Sequence, residues 1–157
     1  MQKNTQMQFT ELHLNASLLK AIAEERFQTP TLVQEQAIPP ILAKKNVIVS
    51  AQTGTGKTAA FALPILQLLL DRQDTEKKPK RIKSLIVTPT RELCLQIEAN
   101  FKSYAKHTDL STTAVYGGVS LEPQKESLKE GVDILIATPG RLIDLQKQRA
   151  IDLRAIE

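Results

Sequence analysis

The sequence contains a single cysteine, Cys94, and no tryptophan, and aromatic residues make up only 4% of it. One cysteine excludes an internal disulfide, which fits a reducing compartment. The longest apolar stretch, from Leu63 to Leu70, is too short for a membrane span and is interrupted by a proline and a glutamine. The polar start lacks the apolar core of a signal peptide, so we expect a cytoplasmic protein without membrane contact.

The chain of 157 residues has the length of one domain. Residues 1–8 are predicted as a disordered lead-in, and residues 9–157 as a single domain. The net charge of +4 suits an anionic partner but is weak evidence, because many soluble domains carry as much.

A glycine-rich segment is the clearest feature that the sequence does contain. It reads Ala51-Gln52-Thr53-Gly54-Thr55-Gly56-Lys57-Thr58, after the apolar run 46–50 and before a helical pattern. Strand, glycine-rich turn and helix form the setting of a phosphate-binding loop, in which Lys57 reaches the phosphates and the Thr58 hydroxyl binds Mg²⁺. Ala51 departs from the strict pattern, which begins with glycine. The alternative is an ordinary turn with a surface lysine.

Strands and helices are predicted to alternate along the chain. Two helices come first, one from Asn15 to Arg26 and one from Thr31 that Pro39-Pro40 ends or kinks. Strands follow at 46–50, 84–88, 111–116 and 133–137, and helices at 57–72, 91–105, 122–129 and 141–148. Such alternation predicts an α/β domain with a parallel sheet and helices on both faces.

Two of these strands end in the same way. The segments Thr88-Pro89-Thr90-Arg91 and Thr138-Pro139-Gly140-Arg141 each place a hydroxyl, an arginine and a helix N-terminus together. In a parallel sheet both lie at the carboxyl edge, where ligands bind.

A third strand end carries Tyr116-Gly117-Gly118, where missing side chains would admit a polymer backbone. Several phosphate-binding strand ends indicate a nucleic-acid backbone, and with few aromatic residues for base stacking we expect contacts to phosphate and sugar. The alternative is that both Thr-Pro segments are merely well-formed helix starts.

The segment from Phe27 to Gln34 precedes the glycine-rich turn by some twenty residues. The Gln34 amide matches the donor and acceptor of adenine, and Phe27 could stack on the base. Thr31 and Gln34 also have the spacing of a capping box, which spacing alone favours.

Taken together, these motifs resemble the DEAD-box RNA helicases, and the general shape is closest to bacterial members. Phe27, Pro30, Thr31 and Gln34 match the Q motif, although Arg26 and Val33 replace the usual glycine and isoleucine. Phe9 matches the upstream aromatic. Residues 51–58 match motif I, where alanine is the normal first residue. Residues 89–93 with Gln96 match motif Ia, Gly117-Gly118 the GG motif, and residues 138–141 motif Ib.

The resemblance implies a RecA-like, ATP-dependent RNA helicase with ATP and Mg²⁺ as cofactors. It makes Lys57 and Thr58 the catalytic residues, Thr58 the metal ligand and Gln34 the residue that selects adenine. The residues implied to bind nucleotide are Phe9, Phe27, Thr29, Gln34 and 51–58. The residues implied to bind RNA, without sequence preference, are Pro89, Thr90, Arg91, Gly117, Gly118, Thr138, Pro139, Gly140 and Arg141.

Phosphoryl transfer also needs an acidic residue at the carboxyl end of a strand, and no predicted strand ends in one. We expect the family's Asp-Glu-Ala-Asp motif to follow Glu157, so the fold is predicted to be incomplete at its C-terminus. The chain alone is then expected to hydrolyse ATP negligibly, and to self-associate through unpaired strand edges or to be marginally stable. The alternatives are a non-catalytic nucleotide- or RNA-binding module and a small-molecule kinase.

Overall fold

The computed structural model describes residues 6–72 and 80–157. Within these ranges the chain forms, in order, a 3₁₀ helix at Phe9–Leu12, α1 at Ala16–Glu24, α2 at Leu32–Leu42, α3 at Lys57–Leu70, β1 at Ser84–Val87, α4 at Arg91–Ala105, β2 at Thr112–Val115, α5 at Glu122–Lys129, β3 at Ile134–Ala137 and α6 at Pro139–Lys147. Its described residues divide into two compact units, residues 6–72 with 103–108, and residues 80–102 with 109–157.

Local signals set the limits of α1 in the first unit. The Asn15 side chain accepts a hydrogen bond of 2.9 Å from the Ser17 N–H, which caps the helix as predicted. Leu18 and Ile22, one helical turn apart, are both buried. Arg26, with a positive φ of 61°, follows the helix end.

Helix α2 continues past Pro39 and Pro40 to Leu42, so of the two predicted effects of the prolines, an end or a kink, the end is wrong. A proline lacks an N–H donor but keeps its carbonyl. Those two carbonyls accept hydrogen bonds of 3.0 Å from Ala43 and Lys45, which close the last turn.

The predicted strand at 46–50 is also wrong. The segment has no assigned secondary structure, and its apolar side chains are open to solvent, Val47 by 36%, Ile48 by 99% and Val49 by 40%. An extended segment becomes a strand only when a neighbour takes its backbone hydrogen bonds, and no strand among residues 6–72 and 80–157 pairs with it.

Helix α3 begins directly after the glycine-rich turn and packs against α2. It buries Ala59, Ala60, Leu63 and Leu66 along one side. Its Gln67 accepts a hydrogen bond of 2.5 Å from the Asn15 N–H, which ties the start of α1 to this helix. No helix in the described part of the chain is long and apolar enough to cross a bilayer.

The second unit contains a parallel sheet of three strands in the order β1-β3-β2. Ile134 pairs with Ser84 on one side and with Thr112 on the other, and the register continues to Ala137. The central strand β3 is entirely buried, as its continuous apolar run predicts. The three strands therefore present their carboxyl ends at one edge.

Helices cover both faces of this sheet, as predicted. The chain crosses from β1 over β3 to β2 through α4, and returns to β3 through α5. Because such crossovers are right-handed, these opposite directions place α4 and α5 on opposite faces. Leu135 and Ala137 form one apolar cluster with Leu128 of α5 and Leu145 of α6, so α6 shares the face of α5.

Asp133 lies at the amino edge of the sheet, one residue before β3. Its buried carboxylate accepts hydrogen bonds of 2.9 Å and 3.0 Å from the N–H and hydroxyl of Ser111, and lies 3.3 Å from Lys80 Nζ. Asp133 therefore joins the starts of β2 and β3, away from the carboxyl edge where ligands bind.

Candidate nucleotide and nucleic-acid sites

The glycine-rich turn in the first unit has the backbone of an anion cradle. Gly54 and Gly56 adopt positive φ angles of 80° and 83°, which residues with a Cβ rarely tolerate. Gly56 caps α3, so the first N–H groups of that helix have no helical acceptor and point out of its end. Such a helix start attracts phosphate through these donors and through the helix dipole.

Lys57 and Thr58 occupy the first two positions of α3. The Lys57 ammonium donates to the carbonyls of Ala51 and Gln52, so the side chain is folded across its own loop. The Thr55 hydroxyl adds a bond of 2.8 Å to the Gln52 carbonyl. These contacts hold the loop in a compact shape with its charged lysine already inside it.

Gln34 both caps α2 and contacts the glycine-rich turn. It is only 3% exposed, and its Oε1 accepts a 2.9 Å hydrogen bond from the Thr31 N–H, the capping box that its spacing favours. Its Nε2 donates to the Gly56 carbonyl at 3.2 Å, and the Thr31 hydroxyl donates to the Thr55 carbonyl at 2.8 Å. A Cβ on Gly56 would lie 2.3 Å from Gln34 Nε2 and would displace this amide, and the positive φ of 83° also disfavours a side chain there.

These two bonds use only part of the hydrogen-bonding capacity of the Gln34 amide. An amide side chain has two N–H donors and two acceptor lone pairs, and the two bonds above use one of each. The capping box and the bond to Gly56 therefore do not use every polar group of the buried Gln34 amide.

Phe9 and Phe27, the two aromatic residues predicted to contact nucleotide, both contact other aromatic rings of the protein. Phe9 is 6% exposed and stacks on Phe27 with ring centroids 6.0 Å apart. Phe27 meets Tyr104 at another 6.0 Å. The burial of Phe9 reflects these contacts between rings. It indicates that the ring packs the turn before α2, since large aromatic rings stabilise mainly through burial.

The predicted disordered lead-in lies partly outside the described residues. Within the described range, Gln6 donates a 3.0 Å hydrogen bond to the Thr29 hydroxyl, and Gln8 caps the 3₁₀ helix. Thr29, predicted to contact nucleotide, therefore has a protein partner.

In the second unit, the three strands deliver all three predicted RNA-binding segments to one edge. However, the helix begins at a different residue in each of the two Thr-Pro-x-Arg segments. Pro139 is the first residue of α6, whereas α4 begins only at Arg91, and the Thr90 hydroxyl accepts from the Leu93 N–H at 3.2 Å. Arg91 thus opens its helix and is exposed, while Arg141 is two residues inside and is buried.

A cation–π contact connects the ends of β1 and β2. The Arg91 guanidinium carbon lies 5.0 Å from the centre of the Tyr116 ring, although β3 lies between their strands. The Gln124 side chain of α5 forms hydrogen bonds with both backbone groups of Tyr116. It accepts from the N–H at 3.2 Å and donates to the carbonyl at 3.1 Å. Gln124 is absent from the predicted site residues, because no motif or spacing in the sequence marks it.

Arg141 connects the ends of β3 and β2. Its Nη2 donates to the Val119 carbonyl at 2.8 Å, directly after Gly117 and Gly118. The side chain is 8% exposed, and its buried Nη1 has no hydrogen-bond partner in the part of the chain that the structure describes. Added Cβ atoms at Gly117, Gly118 or Gly140 would meet nothing within 4 Å, so this edge is open to a ligand.

Comparison with known proteins agrees with this arrangement of motifs. The family model described as DEAD/DEAH box helicase matches residues 31–157. The chain belongs to the DEAD/DEAH box helicase family. It is 46% identical over 149 residues to the ATP-dependent RNA helicase SrmB of Escherichia coli K12, covering 95% of this chain and 33% of that protein.

A second relative is the DEAD-box ATP-dependent RNA helicase RhpA of Helicobacter pylori strain B128, 46% identical over 143 residues. That match covers 91% of this chain and 28% of RhpA. The chain therefore spans about a third of the length of these relatives.

A solved structure extends the likeness to three dimensions. The crystal structure of a hypothetical ATP-dependent RNA helicase from Sulfolobus tokodaii superposes with a TM-score of 0.79 at 41% identity. The match covers 90% of this chain and 39% of that one. The fold class predicted from the sequence, an α/β RecA-like domain with a parallel sheet, is confirmed.

Proposed function

We propose that this DEAD-box chain is the ATP- and RNA-binding part of an ATP-dependent RNA helicase, which couples ATP hydrolysis to local opening of RNA duplexes. The observation that carries the proposal is the carboxyl edge of the sheet, where the strand ends after β1, β2 and β3 meet and are joined through Arg91 and Arg141. Three adjacent phosphate-binding segments suit a polymer better than a single nucleotide.

The glycine-rich loop is proposed to hold the ATP phosphates. The glycine backbone angles and the start of α3 fit a triphosphate, and Lys57 would exchange its loop carbonyls for phosphate oxygens. Thr58, the next residue of α3, would contribute its hydroxyl to Mg²⁺, which neutralises phosphate charge when bound. Gln34 would read adenine through the donor and acceptor that its present bonds leave over.

The buried charge of Arg141 supports RNA as the ligand of the sheet edge. A guanidinium is always charged, and buried charges are normally paired. No carboxylate among the described residues pairs with Arg141, and its Nη1 is unpartnered. A backbone phosphate would supply both the countercharge and the missing acceptor.

RNA-stimulated ATP hydrolysis by the whole protein is the test of this proposal. We expect hydrolysis and duplex opening that require RNA, and loss of both on Lys57→Ala. For the chain itself, labelled oligouridine and oligoadenosine should bind with similar affinity and with a steep dependence on salt. A strong preference for one sequence would argue against backbone recognition.

A second candidate is a module that binds nucleotide and RNA without turnover. In the described ranges β1, β2 and β3 are followed by Thr88, Tyr116 and Thr138, and none of these residues is acidic. Binding of both ligands by the whole protein without hydrolysis would select this candidate.

The proposal extends to self-association and location. The open apolar side chains of residues 47–49 suit pairing with another chain, and light scattering at rising concentration would reveal it.

A cytoplasmic location is proposed from the single free and buried thiol, Cys94, which fits a reducing compartment.

A further inference from the structure

Gln124 continues the edge of the sheet beyond the last residue of β2. Its side-chain amide accepts from the Tyr116 N–H and donates to the Tyr116 carbonyl, at 3.2 Å and 3.1 Å. A peptide group offers the same donor and acceptor, so Gln124 substitutes for one residue of a partner strand. The backbone at Tyr116 is thereby fixed although β2 ends at Val115.

The Tyr116 ring contacts Arg91, which follows the end of β1. The Arg91 guanidinium lies 5.0 Å from the ring centre, within the range of a cation–π interaction. Arg91 is the first residue of α4 and is exposed, so no surrounding core limits its rotamers. A planar guanidinium that rests on a ring is already oriented, and less conformational freedom is lost when it binds phosphate.

The segment 116–119 is also held at its other end, by Arg141. Arg141 donates to the Val119 carbonyl at 2.8 Å, and Gly117 and Gly118 lie open between the two attachments. The segment 116–119 is therefore fixed at both ends and exposed in its middle, as a preformed binding edge requires.

We propose that Gln124 and Tyr116 are positioning residues for RNA binding. Gln124 fixes the backbone at the end of β2, and Tyr116 uses this position to orient the Arg91 guanidinium toward the RNA backbone. The inference rests on the proposed function, since it assigns Arg91 a phosphate contact.

The first experiment measures binding of labelled oligouridine to the whole chain by fluorescence anisotropy at several salt concentrations. Loss of the cation–π contact in Tyr116→Leu should weaken binding roughly two- to five-fold. Tyr116→Phe, which keeps the ring, should bind like wild type. Gln124→Ala should resemble Tyr116→Leu, and the double variant should lose little more, because both changes act on one contact.

Salt dependence separates positioning from direct contact. Tyr116→Leu and Gln124→Ala retain every cation, so the slope of log affinity against log salt should remain at its wild-type value. Arg91→Ala should lower that slope by about one. Gln146→Ala, an exposed glutamine on α6, is the matched control and should change neither quantity.

A second measurement needs no RNA. The Arg91 side-chain NMR resonance should be shifted by the ring in wild type and in Tyr116→Phe, and should lose that shift in Tyr116→Leu and most of it in Gln124→Ala. Hydrogen exchange at the Tyr116 amide should accelerate in Gln124→Ala only. The same spectra show whether each variant is folded.

The outcomes are distinguishable. Wild-type binding together with unchanged affinity and an unchanged Arg91 resonance in Gln124→Ala would overturn the inference alone. Failure of the wild-type chain to bind any RNA would overturn the proposed function and the inference with it.

Discussion

Replacing Gln34 with alanine is the most informative single change in the proposed nucleotide site. Gln34 is 3% exposed, and its amide joins the start of α2 to the glycine-rich turn through the Thr31 N–H at 2.9 Å and the Gly56 carbonyl at 3.2 Å. Gln34→Ala removes both hydrogen bonds and leaves a donor and an acceptor without their partners.

The expected loss of stability follows from those two bonds. A hydrogen bond contributes about 1 kcal/mol net, so the variant should lose about 2 kcal/mol of unfolding free energy. For a chain of 157 residues that corresponds to a fall in Tm of roughly 4–8 °C. Gln36→Ala on the same helix is the matched control, because Gln36 is exposed, and its Tm should stay close to that of wild type.

Nucleotide affinity shows whether Gln34 also reads adenine. If its remaining donor and acceptor bind the base, Gln34→Ala should weaken ATP more than GTP, by roughly ten-fold or more for a lost bidentate pair. Titration of fluorescent ATP and GTP analogues into both variants measures this difference. Equal losses for the two nucleotides would refute adenine reading and leave Gln34 with its capping role alone.

Four further experiments test other parts of the structure. Gly56→Ala should destabilise more than Gly54→Ala in urea unfolding, because both glycines have positive φ but only a Cβ at Gly56 would displace the Gln34 amide from its two hydrogen bonds; equal effects would contradict the packing. Arg141→Ala should weaken RNA binding equally across sequences and lower the salt slope by about one, and a sequence-dependent loss would argue against phosphate contact. Lys57→Ala should abolish ATP binding, and this chain should hydrolyse ATP negligibly, so turnover that disappears in Lys57→Ala would contradict the second expectation. Burial raises the pKa of the Cys94 thiol, so alkylation should be slow in the native chain and fast in denaturant; rapid native labelling would contradict its burial.

Local patterns were sufficient for most helices and for the sheet. Helices α4 and α5 have the predicted bounds, Arg91–Ala105 and Glu122–Lys129. Their limits depend on turn residues and apolar periodicity within the segment itself. The continuous apolar run of β3 likewise predicted a strand buried on both faces.

The segment 46–50 shows where such patterns fail. Its apolar residues have strong strand propensity, yet Ile48 is 99% exposed and no described strand pairs with the segment. A strand depends on hydrogen bonds from a neighbour that is distant in sequence, so propensity alone does not determine it.

By itself, the sequence determined where the glycine-rich turn, the segment 27–34 and the three strand-end segments lie, because each depends on neighbouring residues. Only the tertiary structure decided what their side chains contact. Two nearly identical Thr-Pro-x-Arg segments became an exposed Arg91 on the Tyr116 ring and a buried Arg141 on the Val119 carbonyl. That difference arises from helix register and from strand order across the sheet, and both are set by packing between distant segments.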